Sequence, residues 1–293
     1  MNESLNFFAF RYFLVPTVQT TIYQSLVSDK NQIMRDVFTE LETTNKIAKI
    51  LDRKYLLYFI DKLDENIYIC KFAKEKHFTK YEEGEIDINN ISDLEYPYIY
   101  IIIDLKRQIV LIENKTPIFR TITTAKNKFI EWITLKREMF DYNLKIDEIT
   151  YEHVFWDYVK NSNSIYELTL RLKSPNLFDG WLEANELLKK LKSIYNNTET
   201  QIKFSNENGK LVILKEQVES YIKYITGGGG DWRLKAYYNG VTRTLKSKSN
   251  VKIVKIPKVI EQNFNQFKEL IFNKLYDIED VFIEGKNKDE KKD

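Results

Sequence analysis

Residues 224–258 read YITGGGGDWRLKAYYNGVTRTLKSKSNVKIVKIPK, and the folding of this stretch decides how the rest of the chain is read. Asn239-Gly240 between two alternating segments is the strongest short-range hairpin signal a sequence offers. A two-residue loop pairs Tyr238 with Val241, Ala236 with Arg243, Leu234 with Leu245 and Arg233 with Lys246. One face then carries Trp232, Leu234, Ala236, Tyr238, Val241 and Leu245, with Arg243 as its one charged member. The other carries Arg233, Lys235, Tyr237, Thr242, Thr244 and Lys246. Cations set across from each other oppose pairing, so either solvent screens them or a polyanion is their neighbour.

Between Trp232 and Ile260 there are eight Lys/Arg and no Asp or Glu, in a chain of net charge +2, which leaves about −6 elsewhere. Arg233, Lys235, Lys246 and Lys248 are candidate phosphate contacts, with Arg243 beside them and Tyr237 available for packing or stacking. Lys252, Lys255 and Lys258 would extend the patch. Such contact is salt-sensitive and independent of base sequence, and nothing here has the arrangement of a recognition helix. The plainer reading is an edge strand made cationic to block aggregation; basic residues on both strands favour nucleic acid. The glycines at 227, 228, 229 and 230 stand between a helix and a strand, the wrong direction for a Walker or Rossmann loop, and no Gly-Lys-Ser/Thr follows. Gly227, Gly228, Gly229 and Gly230 are expected to form a flexible helix exit that lets the hairpin swing.

At 293 residues, 43% hydrophobic and 14% aromatic, the chain is long enough for two domains with real cores. Residues 81–105 carry seven acids and no base, opposite in sign to the hairpin. Cys70 is the single cysteine, which excludes an internal disulfide framework and fits a reducing cytosol. The opening MNESLNFFAFRYFLVP is unlike a signal peptide, and no uninterrupted apolar run reaches membrane-spanning length, so a cytoplasmic location without membrane insertion is expected.

Taken in order, 5–15 reads as a strand aromatic on both faces, suited to a doubly covered position. Ser28 or Asp29 could cap a helix carrying Ile33, Val37, Leu41 and Ile47. Strands at 55–63 and 67–72 flank an Asp64-Glu65-Asn66 turn; after an acidic linker, strands at 98–103 and 108–113 form a second hairpin. Thr121 to Thr124 supply capping hydroxyls for a helix through Phe129, Ile130, Ile133 and Met139. Further strands are expected at 144–149, 166–172, 201–204 and 251–256. Helices are expected at 152–159, 177–194, 214–225 and 264–275. The 177–194 helix would turn Trp181, Leu187, Leu188, Leu191 and Ile194 inward, and the last helix carries a stripe of Phe267, Leu270, Ile271 and Leu275. The fold class is α+β, with two domains, each a mainly antiparallel sheet packed against helices. Residues 1–140 form the first and 141–258 the second; 259–284 hold the last helix and 285–293 a charged tail expected to be disordered.

Catalytic signals are sparse. Glu113-Asn114-Lys115 closes an apolar strand in the manner of the E-x-K half of a metal-dependent PD-(D/E)xK nuclease, with Asp104 upstream to complete the set. The three-residue pattern is frequent by chance, and Asp104 more naturally starts the turn. His77 and His153 lack neighbours at ligand spacing and with Cys70 make no zinc site; no cofactor or resident metal is indicated. An enzyme is therefore the alternative and a binding protein the leading reading. A third is a protein-interaction module, in which the acidic residues 81–105 meet a basic patch on another copy or a partner, with the last helix's apolar stripe as a competing route to a dimer.

The aromatic opening strand FFAFRYF, the YPYIYIII strand with its hairpin and helix, the LRLKSPN turn and the late GGGGDWRLKAYYNGVTRTLKS hairpin follow one another in an order that resembles the A proteins of the lambda Rex phage-exclusion system and related prophage and defence-island proteins. The glycine run is a departure from that pattern. The resemblance implies a dimeric, two-domain cytosolic protein that binds DNA without strong sequence preference and acts in phage exclusion, alongside a second defence protein. It implies no catalytic residue.

Overall fold

The computed structural model describes residues 4–17, 30–43, 46–50, 53–83, 87–136, 142–174, 183–258 and 263–283. The first half runs β1 (Ser4–Pro16), α1 (Lys30–Thr43), β2 (Lys46–Ile50), β3 (Arg53–Asp64), β4 (Ile67–Lys74), β5 (Lys76–Glu83), β6 (Ile88–Glu95), β7 (Tyr98–Asp104), β8 (Ile109–Glu113) and α2 (Ile122–Thr134). It continues through β9 (Tyr142–Glu148), α3 (Glu152–Lys160), β10 (Ser164–Lys173), α4 (Glu183–Tyr195) and β11 (Glu199–Ser205). α5 (Lys215–Tyr224), β12 (Gly230–Tyr238), β13 (Val241–Lys246), β14 (Ile253–Pro257) and α6 (Phe264–Ile283) follow. The strands join into three mainly antiparallel sheets, and with the helices this is an α+β fold.

The chain groups into two compact units. One takes Met1–Val15, Arg107–Ile109 and Lys145–Asp293; the other takes Pro16–Lys106 and Val110–Leu144. In the latter, β7, β4, β3 and β2 are neighbours in that order, and β5 with β6 forms a two-stranded ribbon. The β3–β4 turn falls where Asp64-Glu65-Asn66 predicts it: the Asp64 carboxylate accepts the N–H groups of Asn66 and Ile67 at 2.7 and 2.9 Å. Thr121 caps α2 through its hydroxyl, which accepts the Thr124 N–H at 3.1 Å. That helix buries Ala125, Phe129, Trp132 and Ile133, while Met139 lies outside the described residues. α1 buries Ile33, Val37 and Leu41 but ends at Thr43, and Ile47 pairs with Leu56 in β2 instead of extending the helix. Ser28 and Asp29 lie outside the described residues.

The segment expected as an acidic linker is paired strand instead. Lys76–Glu83 and Ile88–Glu95 form the β5–β6 ribbon, in register from Lys76↔Glu95 to Glu83↔Ile88. Almost every described side chain in β5 is exposed, so no alternation of polarity announces the strand.

The other unit holds the hairpin. A four-stranded sheet has the order β11-β10-β12-β13. One of its faces builds a core of Leu168, Leu170, Leu172, Trp232, Leu234 and Ala236 with Phe155 of α3, Leu188 of α4 and Val218 and Ile222 of α5. Within this unit β1 is buried on both faces, from Phe7 and Ala9 to Phe10 and Tyr12, and pairs with β14. The α6 stripe expected as a docking face is consumed by the fold: Phe267, Ile271 and Leu275 are buried. In α4 the outcome is mixed, because Leu188 is buried whereas Leu187 and Ile194 are exposed; Trp181 and the tail at 285–293 lie outside the described residues.

Candidate nucleic-acid interface

The hairpin forms in the expected register, Arg233↔Lys246, Leu234↔Leu245, Ala236↔Arg243 and Tyr238↔Val241, with positive φ at both Asn239 and Gly240 as a primed turn requires. Burial alternates along β12: Trp232, Leu234 and Ala236 are buried, while Arg233, Lys235 and Tyr237 are exposed. Trp232 fixes the phase, its ring lying edge-on to Phe155 with centroids 5.1 Å apart. Burial of one face makes a one-residue slip prohibitive, since it would turn the whole apolar set into water.

The glycines are not a flexible exit. Gly227, Gly228 and Gly229 belong to a buried π-helical turn, and Gly230 opens β12. Gly228 has φ +96°, and a Cβ there would stand 2.6 Å from Cβ of Arg11; one at Gly230 would collide with the Arg171 carbonyl oxygen. The buried Arg11 guanidinium clamps this turn, its Nε donating to the Gly227 carbonyl at 2.5 Å and one Nη to the Arg107 carbonyl at 2.6 Å. Absence of side chains here permits close packing, which holds the hairpin root.

Strand pairing enlarges the outward face beyond the hairpin. Arg233 stands opposite Thr169 of β10, which stands opposite Lys203 of β11, so Lys246, Arg233, Thr169 and Lys203 form one row across four strands. The next row is Thr244, Lys235, Glu167 and Ser205, and beyond Arg233 come Asp231, Arg171 and Gln201. Lys203, Glu167, Asp231 and Arg171 were not singled out from sequence. The period-2 pattern of ELTLRLK puts Glu167, Thr169, Arg171 and Lys173 on one phase, but only the register shows that this phase adjoins Arg233.

Carboxylates divide the face. Glu167 holds Lys203 at 2.8 Å, and this hydrogen bond keeps its carboxyl below the usual range, with desolvation opposing and Lys235 adding a weaker pull. Asp231 lies 3.8 Å from Arg233 and 3.7 Å from Lys248, whose ammonium is also 4.0 Å from Glu148. Among the described residues Lys235 and Lys246 have no carboxylate within ion-pair distance. Arg243 sits at the hairpin tip, its guanidinium 5.9 Å from the Tyr238 ring. Unpaired positive charge is thus concentrated on β12 and β13, around the exposed Tyr237.

Two of the expected extensions are elsewhere. Lys255 is on β14, opposite Asn6 of β1. Lys252 is half-buried and donates to the Asp277 carbonyl of α6 at 3.3 Å. Burial holds its pKa below the ordinary lysine value.

The alternative triad of Asp104, Glu113 and Lys115 does not assemble. Glu113 turns its carboxylate to the Tyr100 N–H, at 2.9 Å. Tyr100 and Asp104 are four residues apart on β7, about 13 Å at strand rise, so the two carboxylates do not converge. Lys115 Nζ lies 5.4 Å from the Tyr98 ring. No group of three His, Cys, Asp or Glu that could hold a metal ion occurs among the described residues. His77 is exposed near Glu75, and His153 stacks obliquely on Tyr151.

No protein-family pattern matches the chain, and no curated protein matches it.

Proposed function

We propose that this protein binds double-stranded DNA, without sequence preference, through the exposed β12–β13 face. The observation that carries the reading is Arg233 directly opposite Lys246, with Lys235 alongside; Asp231 of β12 lies 3.8 Å from Arg233 and Glu167 of β10 holds Lys203, which leaves Lys235 and Lys246 without a carboxylate within ion-pair distance among the described residues. Like charges set in register cost the isolated fold stability; a polyanion converts that cost into binding free energy by releasing its counterions. Exposed Tyr237 among these cations offers a flat ring for the sugar–phosphate surface. Phage exclusion, cytoplasmic location, self-association and a second defence protein as partner are parts of the same reading, supported by the resemblance in the order of the sequence motifs.

The test is affinity for a fluorescent duplex across a salt series. Neutralising about four phosphates gives a log–log slope near −3.6. Reversal of Arg233, Lys235 and Lys246 to Glu should weaken binding more than about tenfold and flatten the slope. A flat wild-type slope, or a triple variant that binds as well as wild type, rejects the reading.

A further inference from the structure

A cleft of about 380 Å³ lies in the hairpin-bearing unit, away from the outward β12–β13 residues, none of which lines it. Its volume is that of a small-molecule pocket. Two helices begin at its wall: Glu152 and His153 from the first turn of α3, and Lys215, the first residue of α5. Neither start is capped by a side chain, since Tyr151 and Leu214 make no capping hydrogen bond. Each first turn carries one acid, Glu152 in α3 and Glu216 in α5, and the Gln217 N–H donates to the Leu214 carbonyl; the leading N–H groups otherwise have no N-cap side chain.

Two amines complete the positive surface. Lys252 is half-buried, held by one carbonyl oxygen, and has no carboxylate within ion-pair distance among the described residues. The Asp277 carboxylate is engaged by Lys274 at 2.8 Å. A partly desolvated ammonium without a counter-ion is costly unless an anion joins it. Lys215 approaches from the exposed side, with Glu219, 3.8 Å away, held more closely by Lys223 at 2.9 Å. The remaining wall is aromatic: Trp156 is partly exposed, with Lys215 Nζ 5.7 Å from its ring centre. Glu152, the one acid lining the cleft, accepts the Trp156 Nε1–H at 2.9 Å, which locks the indole in place. Thr150, also on the wall, is 7% exposed and its hydroxyl has no hydrogen-bond partner.

We propose that this cleft binds a nucleoside monophosphate, its phosphate between Lys252, Lys215 and the first turn of α3 and its base against Trp156. Phosphate alone would leave the aromatic wall unused, and a neutral nucleoside would leave the amines uncompensated. The site is independent of the DNA contact, and its test uses no DNA, so either reading can fail without the other.

Calorimetric titration of the full chain with AMP, GMP, CMP and UMP should give sub-millimolar binding for at least one. Its nucleoside and inorganic phosphate should each bind at least about tenfold more weakly. Lys252→Met and the exposed-site Lys215→Glu should each lower that affinity about tenfold or more, with unchanged melting as the control for folding. Binding should quench tryptophan emission in the wild type and not in Trp156→Phe. Absence of binding by all four nucleotides at millimolar concentration overturns the proposal. So does affinity indifferent to both lysine changes, quenching that persists in Trp156→Phe, or phosphate binding as tightly as the nucleotide.

Discussion

Two antiparallel ribbons in this protein are built on opposite principles. β12–β13 joins a sheet, buries every second residue of β12 and sets Arg233 against Lys246. β5–β6 is a separate two-stranded ribbon that leaves Tyr81, Ile91 and Leu94 exposed and sets Lys76 against Glu95, 2.6 Å apart. Burial supplies the first with stability enough to carry a mismatched charge pair. The second has little core and one complementary cross-strand pair, Lys76 with Glu95, at its open end. Only the first ribbon sets like charges against each other in register.

The sharpest way to break this contrast is to remove the core beneath one ribbon. Trp232→Ala should cost about 3–5 kcal/mol in denaturant unfolding, whereas Ile91→Ala in β6 should stay within about 0.5 kcal/mol. Equal effects would mean that burial does not separate the ribbons.

The ends of β12 give the next largest difference. Gly228→Ala forces a side chain into positive φ against Arg11 and should destabilise by about 2 kcal/mol or more. Gly240→Ala, at φ +80° in open space, should cost only about 1 kcal/mol. A harmless Gly228→Ala would restore the picture of a loose exit.

Charge reversal then tests the electrostatic half. Lys246→Glu should stabilise the fold by about 0.2–1 kcal/mol while weakening DNA binding, and Glu95→Lys should destabilise by a similar amount. If Lys246→Glu lowers stability, the opposed pair was not a cost.

The smallest effect concerns Glu167. Its carboxyl is held below its ordinary value of 4.5 chiefly by Lys203, so the contribution is present above that value and fades as pH falls through the lowered one. Glu167→Gln should cost about 0.3 kcal/mol near neutrality, after allowance for solvent screening, and nothing in acid well below pH 4. Melting curves at the two pH values read the difference; a gap that widens in acid contradicts the assignment.

Legibility followed the same physics. Asn239-Gly240, the alternation Trp232-Leu234-Ala236 and the Asp64 turn are short-range chemistry and stand where the sequence puts them. β5–β6 escaped because neither of its faces is buried, which erases the periodic signal. In α4, Leu187 and Ile194 fit an apolar stripe on paper, yet it is Ala184 and Leu188, four residues apart, that join the core. The nuclease set failed for a related reason: Asp104 and Glu113 are near in sequence, but an antiparallel hairpin sends them to opposite ends of its strands.

By itself the sequence determined the α+β class, the hairpin with its register, the helix faces of α1, α2 and α6, and the side of β12 on which the cations stand. These depend on turn residues and on periods of two or 3.6, which act between near neighbours. Only the tertiary structure decided that four glycines are a packed turn held by Arg11 from the opening strand. It alone brought Lys203 into line with Arg233 and moved Lys252 from the patch to a cleft. Those outcomes depend on which distant segment lies alongside, and that is set by the collective filling of a core, which no local pattern encodes.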